Sequence, residues 1–410
     1  MTHKILSVFF VTFLLIVYPL SAQDRRTINH TILIRTLVGQ GYEDVIARTS
    51  SGATLVQYED SKNRYPVWGL QEIVAQTSLL LPPTTKKVVI LTQKYGVPLA
   101  VFESANILST SHSRRQREVL IPQLAISPRS DQLIRGMAVY PAYNSPQFKS
   151  DLIFHPDVKM RFGNYNNPFE MQLNIVPELR TLLVNGLFLS ASMVVPIYNE
   201  LESYGNYIRL GPTTLNYLRR LDKNYFMFVA AGLFKGERYG MEGGIKKFFY
   251  RGLLVTDLRL GYSGYWIMDR GIFKYDFLKD LTYSLSAQYF VRQYNLFVSL
   301  GFFRFVFQDF GLRFDVLRFY NEFQFGLWGV YADNTVNGGF QFSIPLPPRT
   351  YKQRGTFRLR MADYFGLVYQ GKYSASSGIS LHANTLIDDM FIRHHPSLLI
   401  SHLGRAAYPR

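Results

Sequence analysis

The chain contains no cysteine. That absence excludes a disulfide frame, a thiolate metal site, a cysteine nucleophile and an acylated N-terminal cysteine, so the chain is not a lipoprotein. Beyond its first two dozen residues it also lacks any run of about 18 apolar residues, so any crossing of a bilayer has to be made by strands. No Gly-x-Ser-x-Gly elbow occurs, which removes the simplest signature of a serine hydrolase. Acidic charge is scarce: 29 Asp and Glu stand against 45 Lys and Arg, a formal net charge of +16 over 410 residues. The basic residues are scattered rather than gathered in one stripe, which argues against nucleic acid and leaves an acidic glycan or lipid headgroups as partners. Basic loops beside anionic lipid account for the charge equally well.

What is abundant is aromatic: Phe and Tyr number 32 and 28, and aromatics make up 15% of the chain. The mean hydropathy is near zero. In Gly338 to Leu346 the bulky residues Phe340, Phe342, Ile344 and Leu346 alternate with Gly339, Gln341, Ser343 and Pro345, the period of an extended strand. Similar alternation recurs at 152–162, 167–177, 186–197, 206–219, 224–235, 239–250, 253–265, 280–291, 294–304, 310–319, 322–333 and 356–370. These segments are longer than the usual sandwich strand of about five or six residues. Gly, Ser and Gln stand opposite the apolar face, and aromatics cluster at strand ends, as in Phe248-Phe249-Tyr250 and Phe319-Tyr320. The pattern predicts a mainly β fold, an outer-membrane antiparallel barrel of about 12–14 strands over 151–370, with an even number expected.

Residues 1–22 read as a secretory signal peptide, with Lys4, an apolar stretch and Pro19 to Ala22 before Gln23. Residues 23–104 read as a small periplasmic α+β domain built from two αββ repeats. Ile28, Ile32, Leu33, Thr36 and Leu37 give the first helical stripe, and Leu70, Ile73, Val74, Thr77 and Leu81 the second. The second strands of the repeats align without a gap, Gly52 to Glu59 over Gly96 to Glu103. Such a domain is expected to dock secretion proteins, to plug the barrel or simply to cap it. Residues 105–150, with Arg114-Arg115-Gln116-Arg117, read as a linker, and 371–410 as a C-terminal tail that either leaves assembly to an internal strand or folds back on the barrel.

The tail holds Ser377, Ser380, His382, His394, His395 and His402, but no spacing among them fixes a triad. His394 and His395 are adjacent and point apart, which makes a poor metal pair. Asp388 and Asp389 read as solvating charges. No catalytic residue, metal ligand or cofactor is expected. Strand parity points instead to Arg209, Arg259, Arg313, Glu322, Gln324, Arg358 and Arg360 as lumen residues able to contact a glycan, since Arg and Gln suit sugar hydroxyls and uronate carboxylates. Packing of the lumen by mutual ion pairs is the equal alternative.

Several short stretches then form a resemblance. Gly186 to Asn199, Tyr207-Ile208-Arg209, Tyr217 to Leu221, Gly240 to Gly244 and Arg318 to Gly326 leading into Gly338 to Leu346 resemble the YjbH (GfcD-like) family of exopolysaccharide and capsule outer-membrane proteins. Tyr58-Glu59 and Arg64-Tyr65 before a helix are similar to that family's periplasmic αββ segment. The resemblance implies a non-enzymatic outer-membrane barrel that works with periplasmic exopolysaccharide-secretion proteins on an acidic or neutral polysaccharide. Typical members are longer, with more strands, and some are lipoproteins. The alternatives are an outer-membrane acyl hydrolase or glycan-modifying enzyme, and a structural or surface-anchoring barrel without transport.

Overall fold

The computed structural model describes residues 22–50, 53–80, 87–105, 124–127, 130–137, 140–162, 168–201, 203–351, 355–371 and 377–406. The predicted leader up to residue 21 and the Arg114 to Arg117 cluster lie outside them.

The first unit is the expected pair of αββ repeats. Helix α1 (Ala22–Gln40) precedes β1 (Glu43–Ser50) and β2 (Ala53–Glu59); α2 (Pro66–Leu80) precedes β3 (Lys87–Lys94) and β4 (Val97–Ala105). Pro66 opens α2, where its missing N–H costs nothing. Because α2 carries the chain back across the sheet, β2 and β3 pair in parallel while the hairpin pairs are antiparallel. Tyr95 and Gly96 both take positive φ, at 54° and 68°, to make the tight β3–β4 turn. Leu33, Leu37, Leu70, Ile73 and Val74 bury against Val56, Tyr58, Ile90 and Phe102. Ile32 departs from the predicted stripe and is exposed.

The predicted 105–150 linker is partly built into this unit. Strand β5 (Ala125–Ile126) extends the sheet beside β4, α3 (Ser130–Met137) follows, and Tyr143 exchanges backbone hydrogen bonds with Val45. Two-residue pairings of this kind leave almost no periodicity in the sequence, so they pass for loop.

The second unit is one large antiparallel meander: β6 (Ser150–Phe162), β7 (Phe169–Val184), β8 (Leu187–Asn199), β9 (Arg209–Arg220), β10 (Tyr225–Phe234), β11 (Arg238–Phe249), β12 (Leu254–Asp269), β13 (Ile272–Tyr275), β14 (Asp280–Val291), β15 (Leu296–Arg304), β16 (Phe310–Tyr320), β17 (Phe323–Ala332), β18 (Thr335–Pro345), β19 (Phe357–Met361) and β20 (Tyr364–Gly371). From β6 to β18 each strand pairs with the next, except that β13 forms a side flap on β12 and β12 pairs β14; β18 then pairs β20. Strands β19 and β20 stand at opposite ends of the hydrogen-bonded order yet are separated by only Ala362 and Asp363. Counted as one stave, they make thirteen, each matching a segment predicted from the alternation. The expected even number is therefore replaced by an odd one. An odd meander brings its last strand parallel to its first, and β19 does pair β6 in parallel through five residues. The ladder is not continuous beyond that point: β20 meets β6 through packing, as in the Phe162–Tyr369 ring contact, without a paired register.

The curled sheet is inverted relative to one that faces water. Leu260, Leu300 and Leu327 on its convex face are 61%, 55% and 55% exposed, while Thr282, Ser284 and Asp257 on the concave face are buried. The predicted tail folds back into that concavity. It enters beside Asp309, whose carboxylate accepts from Gly378 N–H at 2.7 Å, and pairs His382 with Lys235. Helix α4 (Thr385–Arg393) then touches β10 and β11 on one side and β18 and β20 on the other. Helix α5 (Pro396–Ala406) ends under the first unit, with Leu399 and Leu403 joining its core.

Candidate functional site

The interior around α4 is the natural site, because it gathers a dense set of inward-facing, mutually paired charges. The strands supply that charge by parity: Glu242 and Lys246 on β11, Asp257 and Arg259 on β12, Arg313 and Asp315 on β16 all face inward and line the interior. Each such charge needs a partner once taken from water. Arg259 Nη2 lies 2.5 Å from Asp257 and 2.5 Å from Asp388 of α4, and Lys246 Nζ lies 3.1 Å from Asp257. Asn384 donates to Glu242 at 2.5 Å. Across the lumen Arg393 pairs with Asp389 at 2.8 Å, donates to Ser343 at 3.1 Å and stacks on Tyr364, 3.4 Å from its centroid. The reading of Asp388 as a solvating tail charge is thereby corrected: it anchors α4 to the wall, which a reading that could not place the tail indoors could not see, whereas Asp389 is 58% exposed and pairs only within its own helix.

Helix α4 divides the remaining space into three chambers of about 350, 390 and 460 Å³. The first, against β11 to β16, is floored by Ser284, Ser286, Gln288 and Ser299, with Arg259 and Arg313 on its walls. The second lies between β18, β20, β6 and the first unit, and holds Gln324, Arg360, Arg64 and Asp60. The third, at the end far from the first unit, contains Arg209, Trp266 and the Glu178 carboxylate, which accepts from Arg180 and Ser190 and lies 2.7 Å from His155 Nε2. Five of the seven predicted lumen residues thus line chambers, but they are not brought together. Glu322 and Arg358 sit instead at the mouth: Glu322 pairs with Arg64 at 2.7 Å, while Arg358 bridges Asp151 at 2.6 Å and Glu43 at 2.8 Å. Arg360 reaches the same Asp151 at 3.5 Å.

These mouth contacts fasten the two units. Arg220 donates to Leu99 O, Tyr95 stacks on Phe188 with centroids 4.0 Å apart, and Tyr65 bonds His402. The first unit therefore caps one end of the curled sheet, and the tail rather than the αββ pair fills its concavity. Asp60 sits at the junction. Burial pushes its carboxyl up to about 6, opposed by the N–H groups of Asn63 and by Lys94. Burial, with Glu59 and Glu43 nearby, raises Asp44 to about 7.

The tail's nucleophile and base candidates are dispersed. His382 faces the first and third chambers, His394 the second and His395 the first, where its ring lies 5.0 Å from that of Phe297. His402 is engaged by Tyr65, and Ser380 lines the first chamber. Among the described residues no three His, Asp or Glu side chains gather as a metal site. Chemically the chambers offer hydroxyl, amide and guanidinium groups in mutually balanced sets, an environment for holding polar groups. Lys246, Asp257, Asp315, Glu178 and Arg180 were missed in the sequence, though the inward parity that found Arg259 and Arg313 applies equally to them. Compared with known proteins, the chain matches no family model, no curated sequence and no solved structure.

Proposed function

We propose that the chain is a bacterial outer-membrane β-barrel that assists export or assembly of exopolysaccharide or capsule without chemistry of its own. The observation that carries the membrane part is the inversion of the large sheet, with leucines outside and Ser, Thr and Asp inside. Among the described residues no helix is long and apolar enough to cross a membrane, which leaves strands as the spanning elements. Most strands have 9 to 16 residues, enough to cross the hydrocarbon layer when tilted. Support for a glycan comes from the Arg, Ser and Gln lining of the chambers and from the likeness to the YjbH family. The αββ unit fastened at one end of the sheet supports the reading that periplasmic secretion proteins are its partners.

A second reading within the same class is a surface-anchoring scaffold, favoured by the presence of α4 across the lumen. Chambers of a few hundred Å³ hold a sugar or two but no continuous strand of glycan, so export requires the tail to move. The dispersal of the tail histidines supports a role without hydrolysis.

Deleting the gene and measuring surface polysaccharide tests the reading, with a chain lacking residues 377–406 as the second arm. Loss of surface glycan on deletion is expected; unchanged glycan overturns the export and assembly reading. Restored export by the tail-less chain marks the tail as a plug, whereas failed retention of glycan that is still made marks the scaffold.

A further inference from the structure

The convex face of the sheet changes character at the end that carries the αββ unit. Beyond the apolar belt, Arg219 of β9, Lys223 of the β9–β10 turn, Lys247 of β11, Arg251 of the β11–β12 turn, Arg292 of the β14–β15 turn and Arg318 of β16 come to the surface. The strand members share the outward parity of the belt: Arg219 follows Leu215, Lys247 follows Met241 and Ile245, and Arg318 follows Leu312 and Phe314. Aromatic rings are set among them. Lys247 Nζ lies 4.3 Å from the Tyr225 centroid and 4.5 Å from that of Phe249, and the Arg318 guanidinium lies 4.5 Å from that of Tyr320. Tyr250 is 75% exposed in the same rim.

None of these six cations has a carboxylate within 4.0 Å among the described residues. The acids of this rim are engaged elsewhere, Glu322 by Arg64 and Asp222 by Arg135. At the opposite rim most outer cations are paired, Arg161 with Glu170 at 2.6 Å, Lys274 with Asp269 at 4.0 Å and Lys279 with Asp276, while Arg270 lies over the Tyr207 ring at 5.7 Å without a carboxylate among the described residues. Uncompensated positive charge is thus concentrated at one rim, on the outer wall, and none of the six lines a chamber.

We infer that this rim is a collar for anionic phospholipid headgroups. The inference rests on the membrane reading above and adds the lipid class and the leaflet: the one on the side of the αββ unit. At the edge of an apolar belt a phosphodiester lies at the level of interfacial aromatics, where Arg and Lys stems cover ring faces and their charged heads reach outward to phosphate oxygens. A soluble polyanion would be better held by a groove, whereas these cations are distributed over four neighbouring hairpins, as a ring of separate headgroups requires.

The test is native mass spectrometry of the full chain in neutral detergent, titrated with phosphatidylglycerol or phosphatidylcholine. The expected result is a preference for phosphatidylglycerol of about tenfold or more, collapsing in high salt. The preference should vanish in the combined variant Arg219→Gln, Lys247→Gln, Arg251→Gln, Arg318→Gln and survive in Lys274→Gln, Lys279→Gln. Equal binding of the two lipids, or a preference that survives the fourfold variant, overturns the collar. Displacement of the lipid by a soluble acidic polysaccharide reassigns the cations to glycan and also overturns it. A chain that stays soluble and folded without detergent overturns the membrane reading and the collar together; one that needs detergent but does not distinguish the lipids overturns the collar alone.

Discussion

Arg259 of β12 holds Asp388 of α4 through two hydrogen bonds, Nη1 to Oδ2 at 2.9 Å and Nη2 to Oδ1 at 2.5 Å. The pair ties a strand of the wall to the helix in the lumen. Removing one partner of a buried pair usually costs about 3–5 kcal/mol. Here Asp388 is partly exposed and Arg259 keeps Asp257, so Asp388→Ala is expected to cost about 1–2 kcal/mol. Arg393, buried in the native chain, should then be cut faster by trypsin. Unchanged cleavage after Arg393 would show that the pair does not hold the tail.

Leu300 tests which medium the convex face meets. On a water-facing surface Leu300→Arg would be neutral in stability and favourable for solubility. Facing lipid near the midplane, it is expected to cost about 2–4 kcal/mol. Folding titrations into vesicles should show that loss, and the same exchange at the turn residue Tyr250 should show little of it. Equal, negligible costs at both positions would count against the lipid-facing assignment.

Gly69 lies inside α2, where alanine ordinarily stabilises a helix by up to about 1 kcal/mol. A methyl group at this position would collide with Asp60 Oδ2, which is held in place by Asn63. Gly69→Ala is therefore expected to destabilise the chain by about 1–3 kcal/mol. Gly39→Ala, in α1 with open space around it, provides the control and should be neutral or stabilising. Urea midpoints of the two variants decide the matter.

The αββ unit should be more stable in mild acid than above neutrality. Asp60 and Asp44 ordinarily titrate near 3.8 but are raised to about 6 and about 7, and burial raises Glu59 as well. The folded unit therefore binds more protons than the unfolded chain between these values. Its stabilisation is full below pH 3.8 and is lost as the pH rises through 6 and 7. Hydrogen exchange of the β1 to β4 amides in the full chain, corrected for intrinsic rates, should show protection greater at pH ~5 than at pH ~8 by roughly 2 kcal/mol. Asp60→Asn should flatten the profile, and protection that rises with pH would contradict the assignment.

Much of this architecture was legible because it is local and periodic. The alternation in Leu281 to Val291 and in Leu296 to Phe302 is a property of each strand alone, and so is the inward parity that placed Arg259 and Arg313. The alternation alone gives thirteen staves, the number found, and the expectation of an even number was what failed; the change of pairing partners at Ala362 and Asp363 leaves the alternation uninterrupted and was not legible. The tail was harder still. Ile387, Met390, Phe391, Leu398 and Leu399 carry a helical spacing that announces a buried face, but nothing local says what buries it. Its partners Phe226, Phe290 and Phe319 are far away in the chain and read, by themselves, as further aromatic strand residues.

The odd stave count governs how the molecule can be put together. A meander with an even number of strands starts and finishes on the same side, so a following segment can reach the preceding domain around the outside. With thirteen, the chain emerges from β20 at the side remote from the αββ unit, and its short way home leads down the middle. If the wall sealed first, α5 would have to travel the full length of a bore already crowded by Arg and Phe side chains. If the staves wrapped around α4 and α5 instead, the discontinuous β6–β20 line would be the last to close. Strand parity thus sends the chain's return path inward, whichever of the two, thread or jacket, is laid first.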